Sequence, residues 1–178
     1  MKRFNYASLT LIVLIGLVVL LRVTHTLPEN FSPVLSLCLM GSAYFTRRWM
    51  AFLFPAAILF ISDTQIGMEG GRPIEMISVY VSYLLITIGG LQLHNNVKPL
   101  RVIVTVFSSS LFFFLLTNFA CWYGSAYYSQ DLKGLVFNYY GARYFYRSSL
   151  VSDVLFSGVL FTTFEMIRVK YPKFALLK

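Results

Sequence analysis

The residues in this sequence best equipped for chemistry are a few polar side chains set in long apolar runs. Asn30 precedes Phe31, Ser32 and Pro33; Asp63 follows the apolar stretch that ends at Ile61; Asn118 interrupts the run from Leu111 to Phe119; Asp153 stands near the start of the last apolar segment. Amides and carboxylates in such surroundings are costly unless hydrogen-bonded, paired or engaged with a ligand, so each marks a candidate binding position. Tyr80, Trp122 and Tyr123 add flat walls with polar tips, and Arg147 adds a permanent charge. The chemistry on offer is recognition of a small molecule by hydrogen bonds, stacking and charge pairing.

Each of these residues also has a plainer role. Asn30 is placed to cap a helix, Asn118 to bridge two helices, Trp122 and Tyr123 to anchor at a membrane interface, and Asp63 to be a hydrated loop acid. Asp153 has Arg143 and Arg147, which share one helix face, as ion-pair partners. Cys38 and Cys121 lie in apolar surroundings with neither a CxxC spacing nor a neighbouring His, which argues against a disulfide scaffold and a metal centre. No Gly-rich phosphate loop, HExxH, GxSxG or SxxK occurs, so the chain reads as a non-enzyme without a cofactor. An intramembrane enzyme would rest on Asp63 and Asp153 alone.

The elements that must position these residues follow from composition. Of 178 residues, 57% are hydrophobic, 17% aromatic and only 12% charged, and the mean hydropathy is +0.69, which excludes a water-soluble monomer. A single integral-membrane domain over 1–178 is expected, because no linker or low-complexity tract divides it. Six apolar segments read as membrane helices: 8–23, 31–45, 49–61, 74–91, 100–119 and 150–167. Between the last two, 120–149 reads as a structured outer loop with an interfacial or re-entrant helix. The second and third segments fall below spanning length and form a tight hairpin at Arg47 and Arg48. Gly89 and Gly90 mark the end of the fourth.

Charge sets the orientation. The net charge of +8 is spread between apolar segments and forms no stripe, so nucleic acid is not an expected partner. With both termini cytoplasmic, ten of the fifteen Lys and Arg fall inside, Arg47, Arg48, Lys98 and Arg101 among them, and six of the seven acidic residues fall outside. Asn30, Asp63, Tyr80, Asn118, Trp122 and Asp153 then converge on the outer face, where a bundle builds a binding site. Gly41, Ser42 and Ala43 lie near the inner end of the second helix. Such small residues let another helix approach closely, from within the bundle or from a docking partner.

Several strings carry a resemblance: Asn30-Phe31-Ser32-Pro33, Gly41-Ser42-Ala43-Tyr44, Ser62-Asp63 with Gly67, Thr117-Asn118-Phe119-Ala120 with Trp122, and Ser152-Asp153-Val154-Leu155-Phe156. Over nearly its whole length the chain resembles an uncharacterised family of small bacterial integral-membrane proteins. That family is similar to the substrate-binding S components of energy-coupling factor (ECF) vitamin transporters. The resemblance implies an all-α, six-helix bundle in the bacterial cytoplasmic (inner) membrane. It also implies a vitamin or vitamin precursor bound at the outer face, and a separate energising module of a transmembrane coupling subunit and ATPases. Asn138 and Tyr144 depart from the pattern, and the first helix has Ala7 and Gly16 in place of the paired alanines with which many S components dock. Nutrient capture is the expected function. Its rival is a non-transporting structural or assembly subunit of a larger membrane complex, which needs a partner surface rather than a pocket.

Overall fold

A computed structural model describes residues 30–45, 48–66, 72–94 and 96–170, together with Leu20, Thr24 and Pro28. Among the described residues the fold is helical throughout, with no strand. It comprises α1 (Val34–Tyr44), α2 (Arg48–Ile66), α3 (Pro73–Gly90) with a 3-10 turn (Leu91–Leu93), α4 (Pro99–Trp122) and α5 (Leu132–Lys170). The first expected helix, 8–23, lies outside the described residues apart from Leu20.

Two helices begin alike. Arg72 and Lys98 are extended, as residues before proline prefer, and Pro73 and Pro99 take the first helical position, where a missing amide costs no hydrogen bond. α3 ends at Gly90, as the glycine pair indicates. α1 starts after Pro33, while Asn30, in the left-handed region at φ +58°, precedes the helix without capping it.

The segments 73–93, 99–122 and 132–170 are long and apolar enough to cross a membrane. α1 has 11 residues and so measures only about 16 Å, half the thickness of a bilayer core. Its place in the bundle accounts for this. Every residue from Val34 to Ala43 is buried, with α2, α3, α4 and α5 around it. A helix that is apolar all round has no face to offer water and goes to the centre. Ser36, Cys38, Gly41, Ser42 and Ala43 keep it slim enough for close approach. On α3, a Cβ at Gly90 would already meet Leu39 and Ser42 at 3.0 Å.

Side-chain bonds define the directions of the helices. α1 and α5 run parallel: the Ser152 hydroxyl donates to the Ser32 carbonyl at 3.0 Å, the Ser36 and Ser157 hydroxyls are 2.8 Å apart, and the Tyr44 hydroxyl donates to Glu165 at 2.6 Å. α4 is antiparallel to α3, as Arg72 meets Ala120 and Gln92 meets Thr105. Hydroxyls fill the interior, among them Ser78, Ser82, Thr87, Ser110, Ser152 and Ser157, while Ile77, Leu84, Ile88, Ile103, Phe107 and Val159 face outward. That distribution suits lipid, where large apolar side chains are soluble and small polar ones hold helices together.

Two expectations are corrected. The stretch 120–149 is not a long loop: the connection covers only 123–131, and α5 runs unbroken through 39 residues. Its polar residues misled an apolar-run count because partners on α4 and on α5 itself satisfy them. Asn138 donates to the Asn118 carbonyl at 2.9 Å, and the Arg143 guanidinium lies 3.8 and 4.5 Å from the ring centroids of Tyr140 and Tyr144. Likewise α2 continues to Ile66, so Asp63 lies within a helix and not after one.

Candidate functional site

At the end of the bundle where α3 begins and α4 stops, one side chain ties the two together. The Arg72 guanidinium donates from Nε to Glu75 at 2.7 Å, from Nη1 to the Tyr123 carbonyl at 2.6 Å, and from Nη2 to the Ala120 and Cys121 carbonyls at 2.8 and 2.6 Å. Carbonyls at a helix C-terminus lack intrahelical donors, and a cation there meets the negative end of the helix dipole. The sequence reading assigned Arg72 no role. Its one signal was a basic residue before a proline-started helix with Glu75 three positions on, a spacing that brings the two side chains together.

The loop that follows α4 is locked by its own polar groups. Trp122 Nε1 donates to the Ser129 carbonyl at 2.9 Å, and Gln130 Nε2 donates to the carbonyls of Trp122, Ser125 and Tyr128 at 3.0–3.1 Å. Trp122 is therefore committed to loop structure. Tyr123 is exposed and stacks on Phe119 with ring centroids 6.2 Å apart.

Asp63 and Tyr80 do meet. The Tyr80 hydroxyl donates to Asp63 Oδ2 at 3.0 Å, joining α2 to α3. Next to this pair the same helices enclose a cleft of about 260 Å³, lined by Phe52, Pro55, Ala56, Tyr80, Tyr83 and Thr87, with Leu59 at its floor. Pro55, which lies inside α2 and lines the cleft, cannot bond to the carbonyl a turn earlier. The cleft is an apolar, aromatic slot with a hydroxyl and a carboxylate close by.

Asp153 lies elsewhere. It is buried between α1 and α5 and faces Ser110, which stands at the middle of α4. The Ser36 hydroxyl contacts the Asp153 backbone carbonyl at 3.1 Å. Among the described residues no basic side chain pairs with the Asp153 carboxyl, although a carboxylate at mid-helix in a membrane costs about 2.5–3.5 kcal/mol to insert. The expected partners are turned away. Arg143 is held by Tyr140 and Tyr144, and Arg147 is exposed, six residues along α5 and thus about 240° around the helix from Asp153.

The eight expected ligand residues thus do not form one site. Asp63 and Tyr80 are together; Asn118 and Trp122 serve the α4–α5 junction, where Asn118 Nδ2 bonds back to the Phe114 carbonyl at 2.8 Å; Asp153 is central; Asn30, Tyr123 and Arg147 are exposed. The expected docking trio is interior as well. Gly41 packs on Phe45 and Ala51, Ala43 is buried, and the Ser42 hydroxyl contacts the Cys38 and Thr87 carbonyls, each at 2.8 Å. Their small size serves close packing within the chain. The interior serines were overlooked, though their spacing was a signal: Ser32 and Ser36, Ser78 and Ser82, and Asp153 and Ser157 are each four apart, on one helix face.

No curated protein and no solved structure matches the chain. A family of unknown function, DUF6580, matches residues 2–174, and on a match of that extent, over a bundle whose long helices are built for a membrane, the chain belongs to this family.

Proposed function

We propose that the protein is an S-component-like membrane protein of six spans with both termini cytoplasmic, set in the bacterial cytoplasmic membrane. It captures a small organic nutrient, a vitamin or precursor, from the outer side. A separate transmembrane coupling subunit with ATPases then drives uptake. The observation that carries this reading is the α2–α3 cleft with the Asp63–Tyr80 pair beside it. Its volume of about 260 Å³ lies just below the roughly 300–1,000 Å³ of sites for drug-sized molecules, so the ligand is small, of about one ring system. Phe52, Tyr80 and Tyr83 wall a flat ring, while Asp63 and the Tyr80 hydroxyl orient one polar or cationic substituent. Burial supplies affinity and the polar pair supplies direction.

The test is to purify the full chain from its own host in mild detergent and record a native mass spectrum, followed by thermal unfolding with the identified molecule. A bound small molecule should stabilise the protein by RT ln(1 + [L]/Kd), about 2.7 kcal/mol at a hundredfold excess over Kd. Ala56→Phe, which fills the cleft from an exposed position, should abolish that gain and leave the unliganded protein folded. Asp63→Asn should weaken it at least tenfold. A stoichiometric protein partner with no small molecule would instead favour the assembly-subunit reading and retire the cleft as a nutrient site.

A further inference from the structure

Near the middle of α4 three segments of the chain meet: the start of α1 with Ser32 and Ser36, Ser110 of α4, and Ser152 to Ser157 of α5. Hydrogen bonds already join them. Ser152 donates to the Ser32 carbonyl, Ser36 contacts the Asp153 carbonyl, and the hydroxyls of Ser36 and Ser157 hydrogen-bond each other. Three buried oxygens are left over. Asp153 Oδ2, Ser110 Oγ and Ser32 Oγ have no hydrogen-bond partner, in side chains of which Asp153 is 3% and Ser110 2% exposed. Since buried polar groups in folded proteins nearly always find partners, three orphans at one junction call for a ligand that takes several oxygens at once.

The chemistry of that ligand follows from the donors. All are oxygens, and one is a carboxylate, which is the donor set of a hard cation. A single carboxylate balances a single positive charge; a divalent ion would leave one charge uncompensated in a medium that solvates it poorly. A proton on Asp153 answers less of the geometry. It would supply one donor, which the Ser110 oxygen facing the carboxyl can accept, but the Ser32 hydroxyl would stay orphaned. A cation can gather oxygens that are too far apart to bond one another. Depth points the same way: α4 has 24 residues, about 36 Å, so its middle lies near the midplane of the membrane, where ion-coupling sites of helical transporters are built.

We infer that this junction binds one sodium ion, ligated by Asp153 Oδ2 and Ser110 Oγ, with Ser32 Oγ completing the shell from the start of α1. Bound there, the ion neutralises the carboxylate and pins α1, α4 and α5 together. The site is distinct from the α2–α3 cleft and stands whether or not that cleft takes a nutrient.

The experiment uses the full purified chain in detergent. Radioactive sodium binding is measured directly, and thermal unfolding is followed in NaCl, KCl and choline chloride at equal ionic strength and over a range of pH. Saturable binding of one sodium per chain is expected, with an unfolding temperature that climbs with sodium concentration and responds to neither potassium nor choline. Asp153→Asn and Ser110→Ala should each weaken sodium binding at least tenfold. Ser110→Ala removes an unpartnered hydroxyl and should fold as well as the wild type in choline, so it serves even if Asp153→Asn fails to fold. Absence of saturable sodium binding, equal stabilisation by potassium, a stability that follows pH but not sodium, or undiminished binding in Ser110→Ala would each overturn the inference.

Discussion

Asp131 illustrates how a single exposed side chain starts a 39-residue helix. Its Oδ1 accepts the Gly134 amide at 2.7 Å and the Ser129 hydroxyl at 2.8 Å, the pattern of an N-cap. The Gly134 amide chiefly, and the Ser129 hydroxyl after it, hold the carboxyl below the usual carboxylate range. A depressed folded-state pKa means that the contribution is complete above the unfolded value, about 3.9, and is lost as pH falls through the folded value. Asp131→Ala should therefore be less stable than wild type near neutrality, and the difference should close as pH falls through the folded-state value; a gap that persisted in full acid would show that the carboxylate charge is not the cause. Gly134 makes the same turn possible, because a Cβ at that position would collide with the Ser129 carbonyl and hydroxyl oxygens. Gly134→Ala should cost about 1–3 kcal/mol. Gly141→Ala, with nothing within 4 Å of its Cβ, should instead stabilise by about 0.5–1 kcal/mol through helix propensity. Thermal unfolding of the pair in detergent checks both signs.

Among elements, Arg72 ties the start of α3 to the end of α4. One guanidinium meets two terminal carbonyls of α4, the Tyr123 carbonyl just after it and the Glu75 carboxylate. Arg72→Ala should destabilise by about 2–3 kcal/mol, since charged hydrogen bonds are lost and the carbonyls are left to find water. Arg72→Lys keeps the charge but not the planar fork and should recover less than half of the loss. The rate of Cys121 labelling by a thiol reagent should rise in both, because Cys121 is half-buried in the turn that Arg72 closes. α5 poses a different demand. At about 58 Å it exceeds any bilayer core, so part of it must project, and its aromatic residues Tyr140 and Tyr144 around Arg143 are chemically suited to the headgroup layer.

For the whole molecule, the arrangement is an apolar shell around a hydroxyl-rich interior, with a short buried helix as the axis. Orientation in the membrane is a separate property, set by where the basic loops lie. With Cys121 replaced by Ala, Ala126→Cys in the α4–α5 loop should react with a membrane-impermeant thiol reagent on intact cells. Lys98→Cys, before α4, should react only after permeabilisation. The reverse pattern would invert the proposed topology and move the α2–α3 cleft to the other side.

How far each feature could be read from the sequence depends on the range of the interaction behind it. Apolar runs and proline starts are local, so the helical class, the span of α3 and α4 and the Gly90 stop were legible: backbone groups in lipid have no partner except their own helix. The start of α5 was not, because whether Asn138 and Arg143 break a helix or sit comfortably on one depends on the Asn118 carbonyl and on two tyrosine rings. Asp63 and Tyr80 were both expected to face a ligand, yet only the packing of α2 on α3 made them neighbours. Asp153 was legible as a costly acid near the start of an apolar segment. That it lies at the centre of the bundle, opposite Ser110 and away from Arg147, was decided by the parallel register of α1 and α5. Tertiary structure settled these matters because side-chain partners across helices are fixed by rotation and register, and neither is encoded in the composition of a single helix.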